Sequence, residues 1–226
     1  MAARSRESRR KRQLEARARR SIGRRKPQFD ERERLLVVCE GAKTERVYFE
    51  ALRAKYRLRT VDVVVCGSDR GTDPVSVVEC ALDRRKAEGF NHVWCVIDTE
   101  SYRKARERKL SAALDLARQN EIQVAISNPC FEFWYLLHFE RHAGSLGRCS
   151  KVVTKLHEHL PGYHKGTNVF DTLDPLTDTA IQNAASINHD QWTSEPDYLL
   201  RDPSTEAHEI VKLIRHIHRQ GPQLKA

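Results

Sequence analysis

Three acidic side chains stand where carboxylates do chemistry. Glu40 follows the apolar run 35–39 and precedes Gly41, while Asp98 and Glu100 follow the apolar run 93–97, two residues apart. Acids in this D-x-E spacing reach one hard divalent cation when the backbone stays extended. Mg²⁺ takes a few carboxylates together with water and phosphate oxygens. Three carboxylates converging in one crevice repel one another unless a cation sits among them. Glu40, Asp98 and Glu100 are therefore candidate catalytic groups and metal ligands, provided that the first and third strands lie side by side, which the sequence leaves as an assumption. Each acid also has a plainer role. Glu40 suits a helix N-terminus, where the dipole favours negative charge. Asp98 suits a turn, and Glu100 a solvated surface.

The neighbours of these acids extend the set. Lys43 and Thr44, beside Glu40, are candidate substrate contacts, and Thr44 and Glu45 also read as helix-start residues. Gly41-Ala42-Lys43-Thr44 does not make a nucleotide-binding P-loop, which needs Gly, four residues and then Gly-Lys-Ser/Thr. Residues 67–74 (Gly-Ser-Asp-Arg-Gly-Thr-Asp-Pro) suit a turn with a helix cap, or a phosphate held on loop amides. Asn128 and Glu132, after the fourth apolar run, are candidate accessory groups at the same edge. His164-Lys165 could meet a phosphate. No nucleophile motif of the G-x-S-x-G type is present, and the ten histidines show no metal-ligand spacing.

The elements that must position these residues alternate. Apolar runs at 35–39, 61–66, 93–97 and 122–126 read as short strands buried on both faces. Helical periodicity follows at 43–56, 74–88 and 110–120. Asp73 and Pro74 supply a cap and a first-turn proline for the second helix. The pattern predicts an α/β fold with a mostly parallel four-stranded sheet flanked by helices. An apolar helix is expected at 131–139 and amphipathic helices at 151–159, 175–188 and 203–219, with a loop at 160–174. The sheet core then spans about 35–140, and a helical C-terminal part about 148–220.

Charge divides the chain. Overall there are 40 Lys+Arg and 31 Asp+Glu over 226 residues. Residues 1–28 hold 12 of those bases and two acids, Glu7 and Glu15, whereas 29–226 hold 28 bases and 29 acids. The molecule reads as a near-neutral body, 29–226, with a basic arm, 1–28, that is disordered or helical on a partner. The run Arg9, Arg10, Lys11 and Arg12 in this arm is a candidate nucleic-acid contact. No stretch of 18 apolar residues exists, which excludes a transmembrane helix, and the N-terminus lacks the apolar segment of a secretory signal. Six cysteines at 39, 66, 80, 95, 130 and 149 form no C-x-x-C pair, so no zinc cluster is expected. Cys39, Cys66 and Cys95 lie in apolar strand runs and read as buried free thiols, consistent with a reducing cytoplasm rather than with disulfides.

Taken in order, several blocks resemble the RloB-like family. They are the run 36–45 with Tyr48-Phe49, Gly71-Thr72-Asp73-Pro74, the run 94–98, the run 127–132 and Asp202-Pro203-Ser204-Thr205. The resemblance implies a relative of the Toprim fold of topoisomerases, primases and overcoming-lysogenization-type nucleases. It implies that Glu40 matches the glutamate after the first strand, a general acid/base or metal partner. Asp98 and Glu100 match the acidic pair that holds Mg²⁺ (or Mn²⁺), although the second acid here is Glu and Ser101-Tyr102 replaces the usual continuation. It further implies a nuclease acting on RNA or DNA in prokaryotic antiphage (abortive-infection) defence beside a partner ATPase. The alternative is a catalytically inactive Toprim-like module that binds nucleic acid or the ATPase.

Overall fold

The computed structural model describes residues 33–66, 73–99, 104–194 and 201–220. In chain order the elements are β1 (Leu35–Cys39), α1 (Thr44–Lys55), β2 (Val61–Val65), α2 (Pro74–Glu88), β3 (His92–Asp98), α3 (Lys104–Gln119), β4 (Gln123–Asn128), α4 (Glu132–Leu136), α5 (Cys149–His159), α6 (Phe170–Leu173), a short 3₁₀ turn (Asp174–Leu176), α7 (Thr177–Ser194), β5 (Ser204–Thr205) and α8 (Ala207–Gln220). The sheet order is β2-β1-β3-β4-β5. The first four strands are parallel, so their carboxyl ends share one edge. β1 pairs directly with β3 in the register Cys39↔Val96, which meets the adjacency that the acidic residues require.

Burial explains why β1 and β3 are continuous apolar runs. Along β1, alternate side chains enter different cores. Leu35, Val37 and Cys39 pack with Tyr48, Phe49, Phe131, Trp134, Ile187 and Ile210. Leu36 and Val38 pack with Val77, Ala81, Cys95, Ile97, Leu110 and Ala113. Helices α2 and α3 thus cover one face, and α1 with the later helices covers the other. A strand with both faces covered has no polar face to show. The caps follow local chemistry. Asp73 accepts from the Val75 amide at 3.1 Å, and Gly89 closes α2 in the left-handed region at φ 67°.

The structure corrects five readings. The sheet has a fifth strand, because Ser204–Thr205 pairs antiparallel with Asn128 and Ser127 at the end of β4. The helix expected from 203 therefore begins at Ala207 instead, since the preceding backbone is committed to the sheet. The apolar helix expected over 131–139 is only Glu132–Leu136. The loop expected over 160–174 contains α6, anchored by the buried Phe170 and Leu173. The disagreement over cysteines is larger. Cys39, Cys66 and Cys95 are buried free thiols as expected, but Cys130 and Cys149 form a disulfide. The pair lie 19 positions apart in the sequence, so local spacing could not signal it. No helix among the described residues is long and apolar enough to cross a membrane.

The C-terminal helices are part of the sheet's core rather than an appendage. Ile210, Val211 and Ile214 of α8 are fully buried in the cluster that contains Val37 and Val96. Ile214→Ala should therefore destabilise the whole body by about 2–5 kcal/mol, the usual cost of a deleted core side chain. Urea unfolding followed by tryptophan fluorescence and by far-UV circular dichroism should shift together. Separate transitions would show an independent C-terminal unit.

Candidate active site

Glu40 is the first residue beyond β1, and its backbone continues the ladder, the amide donating to Val96 O at 3.0 Å. Its carboxylate turns toward β3, where Oε2 accepts the Asp98 amide at 3.2 Å. Glu40 and Asp98 are thus joined at the carboxyl edge. Asp98 is the last residue of β3 and is buried. Its carboxylate accepts from the Phe131 amide at the start of α4, which ties it to the turn after β4. Directly after β3, Thr99 donates through its hydroxyl to Asn128 Oδ1 at 2.9 Å, and its amide donates to Ser127 O at 3.0 Å. Asn128 is therefore held beside Asp98.

Glu132 is buried to 1% exposure at the first turn of α4. Its Oε1 accepts from Thr44 Oγ1 at 2.9 Å and from the Tyr163 hydroxyl at 3.3 Å, with Lys165 Nζ at 3.9 Å. Thr44, read from sequence as a substrate contact, is itself buried, and its hydroxyl is engaged by Glu132. Lys43, by contrast, is exposed at the start of α1. Glu100 and the arm residues Arg9, Arg10, Lys11 and Arg12 lie outside the described residues.

Sequence reasoning treated Glu45 as a helix-start acid, and the structure makes it a member of the site. It is buried in the first turn of α1. A Cβ on Gly41 would lie 2.5 Å from Glu45 Oε2, so the carboxylate occupies the space above this glycine. A signal was present. Glu45 shares its helix face with Tyr48, Phe49 and Leu52, and an acid on an apolar stripe is not a solvated residue.

Burial and mutual repulsion shape the electrostatics. Desolvation, followed by the charges of Glu132 and Glu40, pushes Glu45 up to about 7, with Lys165 pulling the other way. Desolvation, followed by the charges of Glu45 and Glu132, holds Asp98 well above the usual carboxylate range, against the pull of the Phe131 amide. Four acids therefore interact at one sheet edge: Glu40, Glu45, Asp98 and Glu132. Such a set binds protons, or a hard cation, in preference to standing fully ionised. Their donor atoms are all oxygen, the type that hard cations take, but among the described residues no three of these carboxylates bring an oxygen within 4.8 Å of one another.

The family model described as RloB-like protein matches residues 35–214, from the start of β1 into α8 and so across every acid of the edge. No curated protein and no solved structure matches the chain.

The proton on Glu45 has a sign that can be tested. Because its folded pKa lies above the unfolded value of 4.5, the native state binds more protons, and stability falls as pH rises from about 4.5 to about 7. Without added metal, wild type should lose about 3 kcal/mol more than Glu45→Gln over that interval. Urea unfolding at pH 5 and pH 7.5 measures the difference, and parallel curves would contradict it. Gly41→Ala should flatten the same dependence, because its methyl group displaces the Glu45 carboxyl.

Proposed function

The chain belongs to the RloB-like protein family, and from that premise we propose that it is a metal-dependent nuclease with a Toprim-like site, acting in prokaryotic antiphage (abortive-infection) defence with a partner ATPase. The observation that carries this reading is the joining of Glu40 to the Asp98 amide at the carboxyl edge of a parallel sheet, with Glu45 and Glu132 electrostatically coupled to them. In open α/β sheets this edge is where ligands bind.

Glu40 and Asp98, with Glu100 two residues on, would hold Mg²⁺ or Mn²⁺, which when bound polarises a scissile phosphate and stabilises the charge that develops on it. Glu40 moves a proton to or from the attacking water or the leaving oxygen. Glu45, protonated up to about pH 7, offers a second proton at the same edge. Asn128, fixed by Thr99, and Glu132, fixed by Thr44 and Tyr163, keep the surrounding turn in place. Lys43 stands at the rim, where a phosphate would approach. The body carries nearly equal numbers of acids and bases. Capture of a polyanion therefore falls to residues 1–28, with Arg9, Arg10, Lys11 and Arg12 as their densest run.

The test is cleavage. The full chain, alone and with an ATPase encoded beside it, is incubated with tRNA, single-stranded RNA and duplex DNA in Mg²⁺ or Mn²⁺. Wild type should cut at least one substrate, and Glu40→Ala and Asp98→Ala should each lower the rate at least a hundredfold. If no substrate is cut, or if both variants cut normally, the nuclease assignment falls. Binding without cutting would identify the protein as a non-catalytic module.

The arm is tested by salt. If about six of its cations meet phosphates, affinity for duplex DNA should fall about a thousandfold between 50 and 200 mM salt. Deleting residues 1–28 should remove most of that dependence. An unchanged log–log slope would remove the arm from the account.

A further inference from the structure

Beside the carboxylate edge, and with a different donor chemistry, lies a second cluster. Cys130 ends the turn after β4, Glu132 opens α4 and Cys149 opens α5. One ligand atom from each lies within 4.8 Å of the other two. Cys130 and Glu132 are buried, and Cys149 is half-buried. The two sulfurs form a disulfide, and Glu132 Oε2 stands 3.3 Å from Cys149 Sγ. A disulfide sulfur has no proton to donate, so in the oxidised form this contact is an unassisted approach of a carboxylate oxygen to sulfur. The placement makes chemical sense for the dithiol.

We propose that the reduced chain binds one Zn²⁺ through Cys130 Sγ, Cys149 Sγ and Glu132 Oε2, and that oxidation to the disulfide releases it. The orientation of Glu132 is the independent support. Thr44 and Tyr163 hold its Oε1, which leaves Oε2 directed at Cys149, the arrangement by which outer residues orient metal ligands. The span also fits. With Zn–S near 2.3 Å and Zn–O near 2.1 Å, a tetrahedral ion separates sulfur from oxygen by about 3.6 Å. Charge fits as well. Two thiolates and a carboxylate leave Zn²⁺ one negative charge in excess, and Lys165 Nζ lies 3.9 Å from Glu132 Oε1 to offset it. Cys149 begins the eleven-residue α5, where the dipole favours the thiolate. Thiolate donors select this borderline metal over the hard cation expected at the neighbouring acids.

The chemistry balances. A dithiol reductant delivers two electrons and two protons to the disulfide and becomes a disulfide itself. Zn²⁺ then displaces the two thiol protons, which pass to solvent. On reoxidation a disulfide oxidant takes the two electrons and, with two protons from solvent, becomes a dithiol, while the two thiolates join as Cys130–Cys149 and release Zn²⁺. The consequence for the site is positional. The metal would tie α5 to the turn that carries Phe131, whose amide holds Asp98. This inference rests on its own geometry and does not need the nuclease reading.

The full chain, reduced with a phosphine and titrated with Co²⁺ as a spectroscopic probe, tests it. We expect one equivalent to give a thiolate-to-cobalt charge-transfer absorption that Zn²⁺ abolishes. Cys149→Ser should lose the band, Glu132→Gln should weaken Co²⁺ affinity at least tenfold, and Cys80→Ser should retain the band. The oxidised chain should show none. Far-UV circular dichroism of each sample establishes that it is folded. Absence of the band in the reduced, folded wild type would overturn the proposal, as would its persistence in Cys149→Ser.

Discussion

Burying several carboxylates together is the constraint on which the rest of the structure depends. Glu45, Asp98 and Glu132 are each less than a tenth exposed, and Glu40 is joined to the Asp98 amide beside them. Such a cluster is costly unless protons or a cation neutralise it. The surrounding fold is arranged to hold it. β1 and β3 are neighbours, the Phe131 amide and the Thr44 and Tyr163 hydroxyls satisfy individual oxygens, and Gly41 leaves room for the Glu45 carboxyl. Apolar layers cover both faces of the sheet behind this edge.

The same constraint organises the sequence of elements. The turn after β4 serves two neighbours. On one side its Phe131 amide and Asn128 attend the end of β3, and on the other Cys130 and Glu132 reach α5 and the loop carrying Tyr163 and Lys165. The C-terminal segment adds β5 to β4 at that turn, where Ser127 and Thr205 share a hydroxyl contact of 2.9 Å. Glu206 accepts the Ile126 amide at 3.1 Å, fixing the segment again. Residues far apart in the chain therefore support one short stretch, 127–132.

Much of this was legible in the sequence, for physical reasons. Runs such as 35–39 announce strands covered on both faces, and Asp73-Pro74 marks a helix start. Polar residues placed at or just beyond the ends of such strands point to the carboxyl edge, so Glu40, Asp98, Asn128 and Glu132 could be singled out. What stayed hidden depends on contacts across the chain. The adjacency of β1 and β3 is a matter of topology, and β5, two residues long, is too short for a period. The pairing of Cys130 with Cys149 follows from the packing of α5 on α4. Glu45 was legible in principle, as an acid on an apolar helix stripe, but its position in a first helical turn offered an easier explanation.

The hard-cation site proposed for the buried acids at the ends of β1 and β3 can be tested apart from cleavage. Mn²⁺ binding followed by electron paramagnetic resonance tests it most directly, using wild type and Asp98→Asn, which keeps the shape of the side chain and removes its charge. A saturable Mn²⁺ site is expected in wild type, competed by Mg²⁺ and weakened at least tenfold in Asp98→Asn. A wild type that binds no Mn²⁺, or an Asp98→Asn variant that binds it equally well, would contradict it.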